Sequence, residues 1–166
     1  MKIKMICFDM DGTIADLYKV EDWLKKLREE DSTPYTDAYP MWNMKELADV
    51  LKKLQAHNIE IRVVTWLSKD STQEYKKAVR KAKKEWLDSY GFPYDNFHGI
   101  QYGRTKADAI RNYLNEEEEA ILIDDNENVR NGWTKGRTID PTSCNIIEIL
   151  SNLLWLKKKE RRIKNE

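Results

Sequence analysis

The stretch MICFDMDGTIADLY, Met5 to Tyr18, is a short apolar run that stops at two aspartates one residue apart, followed at once by Gly12 and Thr13. Asp-Gly is ordinary turn chemistry. Two acids at the lip of what reads as a buried strand admit a second reading, an active site. The rest of the chain decides between them.

Outward from this stretch, short apolar runs alternate with amphipathic ones. Residues 2–9 read as a strand, and 17–30 as a helix with Val20, Trp23, Leu24 and Leu27 on one face. Residues 31–43 carry two prolines and read as a loop. Leu47, Val50, Leu51 and Leu54 recur at helical spacing within 44–58. A β-branched strand follows at 59–65. Ser71 and Glu74 stand at capping-box spacing, so a helix over 71–91 starts there, and Gly91 can close it. A short strand at 97–101, a helix at 106–114, a strong strand at 119–125, a weak one at 136–141 and a helix at 146–159 complete the order.

Strands separated by helices predict βαβ units and a mostly parallel sheet, an α/β Rossmann-like fold in three layers. In such sheets ligands bind beyond the carboxyl ends of the strands. The three best strands end in Asp9 and Asp11, in Thr65, and in Asp124 and Asp125, with Lys106 nearby. Polar chemistry therefore collects on one edge of the sheet.

The bulk numbers set few other limits. At 166 residues the chain reads as one domain. Lys+Arg and Asp+Glu are both 29, so net charge makes no general case for nucleic acid or an anionic membrane. The two cysteines, Cys7 and Cys144, suggest no disulfide framework or metal site, which fits a reducing compartment. Asp9 and Asp11 interrupt the first apolar run too early for a signal peptide, and no run is long enough to span a bilayer. A cytoplasmic protein without a membrane partner is expected. Nothing in the sequence fixes an oligomeric state.

Converging carboxylates raise one another's pKa, and a hard cation relieves the conflict; Mg²⁺ prefers oxygen ligands. A phosphoryl group would then be drawn in by the metal and by Lys106. Thr65 could offer its hydroxyl and the Trp66 amide to phosphate oxygens. The turn at Asp11, Gly12 and Thr13 could offer its N–H groups, with Gly12 allowing close approach. Phosphoryl transfer needs mainly positioning and charge neutralisation.

This arrangement resembles the haloacid dehalogenase-like hydrolase superfamily, over a span from Asp9 to about Pro141. DMDGT (9–13) looks like its first motif, IRVVT (61–65) its second, RTKAD (104–108) supplies a third-motif lysine, and ILIDDN (121–126) looks like the acidic fourth. NVRNGWTKGRTI (128–139) is similar to the helix-Gly-strand continuation. The resemblance implies a Mg²⁺-dependent phosphomonoesterase. Asp9 would be the nucleophile that forms an aspartyl-phosphate, and Asp11 the general acid and base. The Asp9 side chain, the Asp11 main-chain carbonyl and Asp125 would hold the metal, with Asp124 behind it or sharing it. Thr65 and Lys106 would hold the phosphate, with Lys135 and Arg104 as fallbacks for the lysine.

In this superfamily an insert between the first two motifs forms a substrate-selecting cap. Here residues of about 15–58 give a small helical cap, and its aromatics Tyr18, Tyr39 and Trp42 are candidates for stacking on a nucleobase. The competing reading is that Trp23 and Trp42 merely pack the cap onto the core. DMDGTIAD (9–16) is also similar to the opening of the 5′(3′)-deoxyribonucleotidase branch, although Trp66 stands where a small polar residue is usual and is placed to form a pocket wall. The leading substrate is a nucleoside monophosphate or another small phosphate ester. A polynucleotide or sugar phosphatase is the alternative within the class, and a non-catalytic phosphate- or nucleotide-binding regulator the alternative outside it. Retention of both Asp9 and Asp11 speaks against the last. No Gly-rich phosphate loop of the G-x-x-x-x-G-K-[ST] type occurs. The basic tail 157–166 reads as a solvated helix end, with nucleic-acid contact through it not favoured.

Overall fold

The computed structural model describes residues 1–163, with side chains as far as residue 159; the last residues of the basic tail lie outside the described residues. Five parallel strands form one sheet: β1 (Lys2–Phe8), β2 (Glu60–Trp66), β3 (Asn96–Ile100), β4 (Glu118–Ile123) and β5 (Thr138–Ile139), in the order β3-β2-β1-β4-β5. Seven helices join and flank them: α1 (Trp23–Arg28), α2 (Thr33–Asp37), α3 (Met44–Gln55), α4 (Gln73–Ser89), α5 (Lys106–Ile110), α6 (Glu127–Asn131) and α7 (Ile146–Ile163).

The period-2 alternation of the strands feeds two cores. Ile6 and Phe8 of β1, Ile61 and Val63 of β2, and Ile121 and Ile123 of β4 meet Leu47, Leu51 and Leu54 of α3, Trp86 and Leu87 of α4, and Ile146 and Leu150 of α7. On the opposite face Met5, Cys7, Val64 and Leu122 meet Ala107 and Ile110 of α5 and Trp133. This is the expected three-layer Rossmann-like architecture. Strict alternation would put Ile3 on the second face. The pairing of β1 with β4 shifts register between Ile3 and Met5, and this bulge returns Ile3 to the first core.

Because helices α3 and α4 cross one face and α5 the other, the strand order reverses between β1 and β4. That reversal is the switch point where open sheets of this kind form their crevice. Asp9 leaves β1 there, its N–H bonded to the Ile123 carbonyl of β4 at 2.9 Å.

Several expectations need correction between residues 15 and 58. The single helix of 17–30 is instead a 3₁₀ turn at Leu17–Lys19 and the short α1, whose flanks Asp22 and Glu30 take φ of 56° and 58°. Neither is glycine, and left-handed backbone at both ends cuts the helix short. Loop 31–43 contains α2, with Pro34 in its first turn, where a missing N–H costs nothing. Helix α3 lays its apolar face, Leu47, Leu51 and Leu54, on the main core. The part that stands over the switch point therefore runs from about residue 15 to 43.

This flap is tied down by specific bonds. Asp16 N–H donates to the Tyr39 carbonyl at 2.8 Å, and Met41 N–H to Ile14 at 2.9 Å. The Trp86 indole donates to the Ala38 carbonyl at 2.7 Å, and the Tyr75 hydroxyl to the Asp31 carbonyl at 2.9 Å. The N-cap of α4 is Thr72 rather than Ser71, whose hydroxyl instead pairs with Ser68 at 2.5 Å. Thr72 Oγ1 accepts from Tyr75 N–H at 3.2 Å. Its own N–H and hydroxyl donate to the two oxygens of Glu30, at 2.8 and 2.7 Å. The carboxylate that completes this cap thus comes from 42 residues away, out of the flap.

No helix among the described residues is long and apolar enough to cross a membrane. Both cysteines are free thiols, and burial pushes the Cys7 thiol up to about 12.

The Glu30–Thr72 pair makes a separable prediction. Thr72→Ala removes the cap and should lower unfolding stability by about 1 kcal/mol in urea titrations. Glu30→Ala should speed amide exchange across residues 23–31 without a comparable change in α3 or the strands.

Candidate active site

Four aspartates and two lysines meet at the switch point. Lys106 opens α5 and comes from one face of the sheet. Its Nζ lies 2.8 Å from Asp9 Oδ1 and 2.7 Å from Asp124 Oδ2. Lys83 lies on the buried stripe of α4 and comes from the other face. Its Nζ lies 2.6 Å from Asp11 Oδ2, 2.7 Å from Thr65 Oγ1 and 3.0 Å from the Trp66 carbonyl. Carboxylate oxygens of Asp9, Asp124 and Asp125 all lie within 4.8 Å of one another.

The main chain is fixed around these groups. Gly12 takes φ +78°, and a Cβ built there would sit 2.5 Å from Asp125 Oδ2 and 2.7 Å from Tyr18 Cε2. Only glycine suits that turn. The Met10 carbonyl accepts N–H bonds from Thr13, Ile14 and Ala15. Thr13 Oγ1 accepts the Asp125 N–H at 3.1 Å and lies 3.3 Å from Asp125 Oδ1. Asp124 Oδ1 accepts the Asn126 N–H at 2.9 Å. Arg130 donates to the carbonyls of Asp124 and Asp125, both at 2.8 Å, and to Asp140 Oδ2 at 3.0 Å.

Electrostatics follow from burial and these pairings. Burial, then the neighbouring Asp9 charge, pushes Asp124 up to about 6 against the pull of Lys106. The same two causes raise Asp125. Burial also raises Asp11, with Lys83 opposing. Burial by itself would lower Lys106; the charges of Asp9 and Asp124 outweigh it and hold the ammonium above its ordinary value. Three carboxylates around one lysine leave excess negative charge. That donor set fits a hard divalent cation held through oxygen, with Asp9, Asp124 and Asp125 as the side chains in reach. The Asp11 carboxylate is not part of this set.

A cavity of about 560 Å³ opens over the acids. Asp9, Asp11, Lys106, Asp124 and Asp125 reach it, as do Tyr18, Trp23, Trp66 and Tyr102. Four residues expected at the phosphate or substrate do not line it. Thr65 is fully buried and its hydroxyl accepts from Lys83. Gly12 shapes the turn behind Asp125. Tyr39 is 79% exposed, away from the cavity. Trp42 packs against the main core and donates its indole N–H to the Thr13 carbonyl at 2.8 Å, which is the packing role. Tyr18 and Trp66 do line the cavity.

Lys83 is the charged group of this cluster that sequence reasoning missed. It sits in a lysine-rich helix, where each lysine reads as solvated. Its signal was positional: it falls four residues after Val79 and four before Leu87, on the apolar stripe. Tyr102 was missed as well, because a single exposed aromatic in a loop carries no pattern.

No family profile matches the sequence, and no curated protein is significantly similar to it. Solved structures do share its fold. A chain of the Pnkp1/Rnl/Hen1 complex aligns with a TM-score of 0.57 at 16% identity, over 83% of this chain and 45% of that one. A chain of the Pnkp1/Rnl/Hen1 RNA repair complex aligns with a TM-score of 0.56 at 15% identity, over 83% of this chain and 42% of that one. This chain thus spans less than half the length of the chains it matches, and the likeness at such identity is one of fold.

Two measurements check the site. Lys83→Met leaves Asp11 and the Thr65 hydroxyl without their buried partner and should cost about 3 kcal/mol of stability in denaturant. Mg²⁺ should raise the Tm at pH 7.5. That rise should shrink below pH 6, where a proton competes for Asp124.

Proposed function

We propose that this protein is a Mg²⁺-dependent phosphomonoester hydrolase of the haloacid dehalogenase-like type, working through an aspartyl-phosphate. One observation carries the reading: Asp9 and Asp11, with one residue between them, are given different lysines and different surroundings at the switch point. A nucleophile and a proton donor must differ in this way.

Asp9 lies beside the Asp124 and Asp125 carboxylates, with Lys106 on Oδ1. A bound Mg²⁺ would be held by these three side chains and the Asp11 carbonyl, and would neutralise charge between Asp9 and the phosphate oxygens. Asp9 attacks phosphorus; the bond to the ester oxygen breaks, and Asp11 gives that oxygen a proton. Lys83 occupies Asp11 Oδ2, so the transferable proton belongs on Oδ1. Water then attacks the aspartyl-phosphate, Asp11 takes its proton, and phosphate leaves with Asp9 regenerated. Raised affinity of Asp11 for a proton, caused by burial, suits that exchange.

Tyr18, Trp23 and Trp66 around the cavity support a leaving alcohol that carries a flat, unsaturated ring, and a nucleotide is the leading substrate class. A phosphate on a nucleic-acid end is the second reading, supported by the fold shared with chains of an RNA repair complex.

The test is a panel of phosphate esters, including nucleoside monophosphates and p-nitrophenyl phosphate, with Mg²⁺ and with chelator. Phosphate release should need Mg²⁺. Asp9→Asn should lose activity by at least about a thousandfold, as removal of a covalent nucleophile does. Release of no phosphate from any ester, or full activity of Asp9→Asn, would sink the proposal.

A further inference from the structure

A second depression of about 350 Å³ adjoins the active-site cavity, and the two share Trp66 and Tyr102 as a common wall. Its lining differs in kind from that of the first. The main cavity holds the four aspartates together with Glu30 and Asp70. The second holds no carboxylate at all: Arg104, Thr105 and Asn128 line it, beside the aromatics, Lys106 and Asn126 that both cavities share.

The wall is built rather than incidental. Trp66 and Tyr102 lie 4.7 Å apart, centroid to centroid, at 46°. The Trp66 indole N–H donates to the Arg104 carbonyl at 2.9 Å, which fixes the loop that carries both Tyr102 and Arg104. Gly103 between them takes φ +81°. Tyr102 is about half exposed, and Lys69 approaches its ring at 5.8 Å. Among the described residues neither Lys69 nor Arg104 forms an ion pair with a carboxylate. An aromatic face flanked by unpaired cations and side-chain amides is what unpaired bases and phosphodiesters bind.

We infer that the ester presented to the acids is the phosphorylated end of a single-stranded oligonucleotide, whose next unit occupies the second depression against Tyr102 and Arg104. This rests on the phosphatase reading and narrows its substrate. A free nucleoside monophosphate would fill the first cavity only and gain nothing from the acid-free depression. A duplex end would keep its bases stacked on each other and leave Tyr102 without a partner.

The experiment compares single-stranded pentanucleotides carrying a 5′- or a 3′-phosphate with the same strands in blunt duplex, with nucleoside monophosphates and with p-nitrophenyl phosphate. One of the two single strands should be turned over with kcat/KM at least tenfold above the monophosphate. Tyr102→Ala and Arg104→Gln should each lower kcat/KM for the strand by at least fivefold more than they lower it for p-nitrophenyl phosphate, removing most of that advantage. The strand's advantage should also shrink with added salt, through the Arg104 contact. Equal kcat/KM for strand and monophosphate, or for strand and duplex, would overturn the inference while leaving the phosphatase reading intact. Binding is read separately, by tryptophan quenching in Asp9→Asn protein. If no ester is hydrolysed, tenfold tighter binding of the single strand than of the monophosphate still supports the inference, and equal binding overturns it.

Discussion

Two lysine ammoniums hold the charge of the aspartates at the open edge of the sheet, and most of the architecture can be traced to burying them. The side chains of Lys83 and Lys106 are 0% and 2% exposed. A cation taken that far out of water is tolerated only where opposite charge and hydrogen bonds replace the lost hydration, and stripping away one partner is costly. Lys106 meets that condition with Asp9 and Asp124, which follow neighbouring strands β1 and β4. Lys83 meets it with Asp11, the Thr65 hydroxyl and the Trp66 carbonyl, which bind it to β1 and β2. One lysine rises from each helical layer. The site is therefore gripped from both faces of the sheet, and neither layer can slip without uncovering a charge.

The flap inherits its position from the same helix. Helix α4 carries Lys83 near its middle and Thr72 at its N-cap. Glu30 completes that cap from the flap, and Tyr75, one turn on, bonds the flap backbone at Asp31. Tyr35 of α2 brings its ring to within 5.0 Å of the Lys83 ammonium. The wall of the cavity and the lysine beneath it thus share one rigid support, so the cavity's shape depends on α4 as much as on the strand ends.

How much of this could be read from the sequence follows from what kind of pattern each feature makes. Strand ends are local, so Asp9, Asp11, Asp124 and Asp125 were visible as acids after apolar runs, and the alternation of strands and helices carried the layer order. Lys106 was visible by its place between two strands. Features set by partners far along the chain were not visible. Glu30 caps a helix 42 residues later, and nothing near either residue announces it. The left-handed turns at Asp22 and Glu30 broke a helix whose apolar spacing looked continuous. Leu24, on that supposed face, is 43% exposed. Trp42 and Tyr39 sit close in sequence, yet one is pinned under the Thr13 carbonyl and the other faces solvent. Aromatic content alone could not separate them.

The two lysines also account for how neighbouring carboxylates can be given unlike tasks. Asp9 hangs from the end of β1, its amide in the ladder with Ile123, so its position is set by the sheet. Asp11 sits one step further on, in a turn that only Gly12 allows. Lys106 bonds two carboxylates, whereas Lys83 divides its three donors among Asp11, a hydroxyl and a carbonyl. Two of those acceptors are neutral, so Lys83 can remain in place whether Asp11 carries a proton or not. Were Asp11 its only partner, each protonation would strand a buried cation. With Thr65 and Trp66 sharing the load, a proton moving on or off Asp11 would leave the lysine solvated by the protein throughout. On the proposed reaction, Thr65 then acts from below the cavity, as part of the support that lets Asp11 change charge.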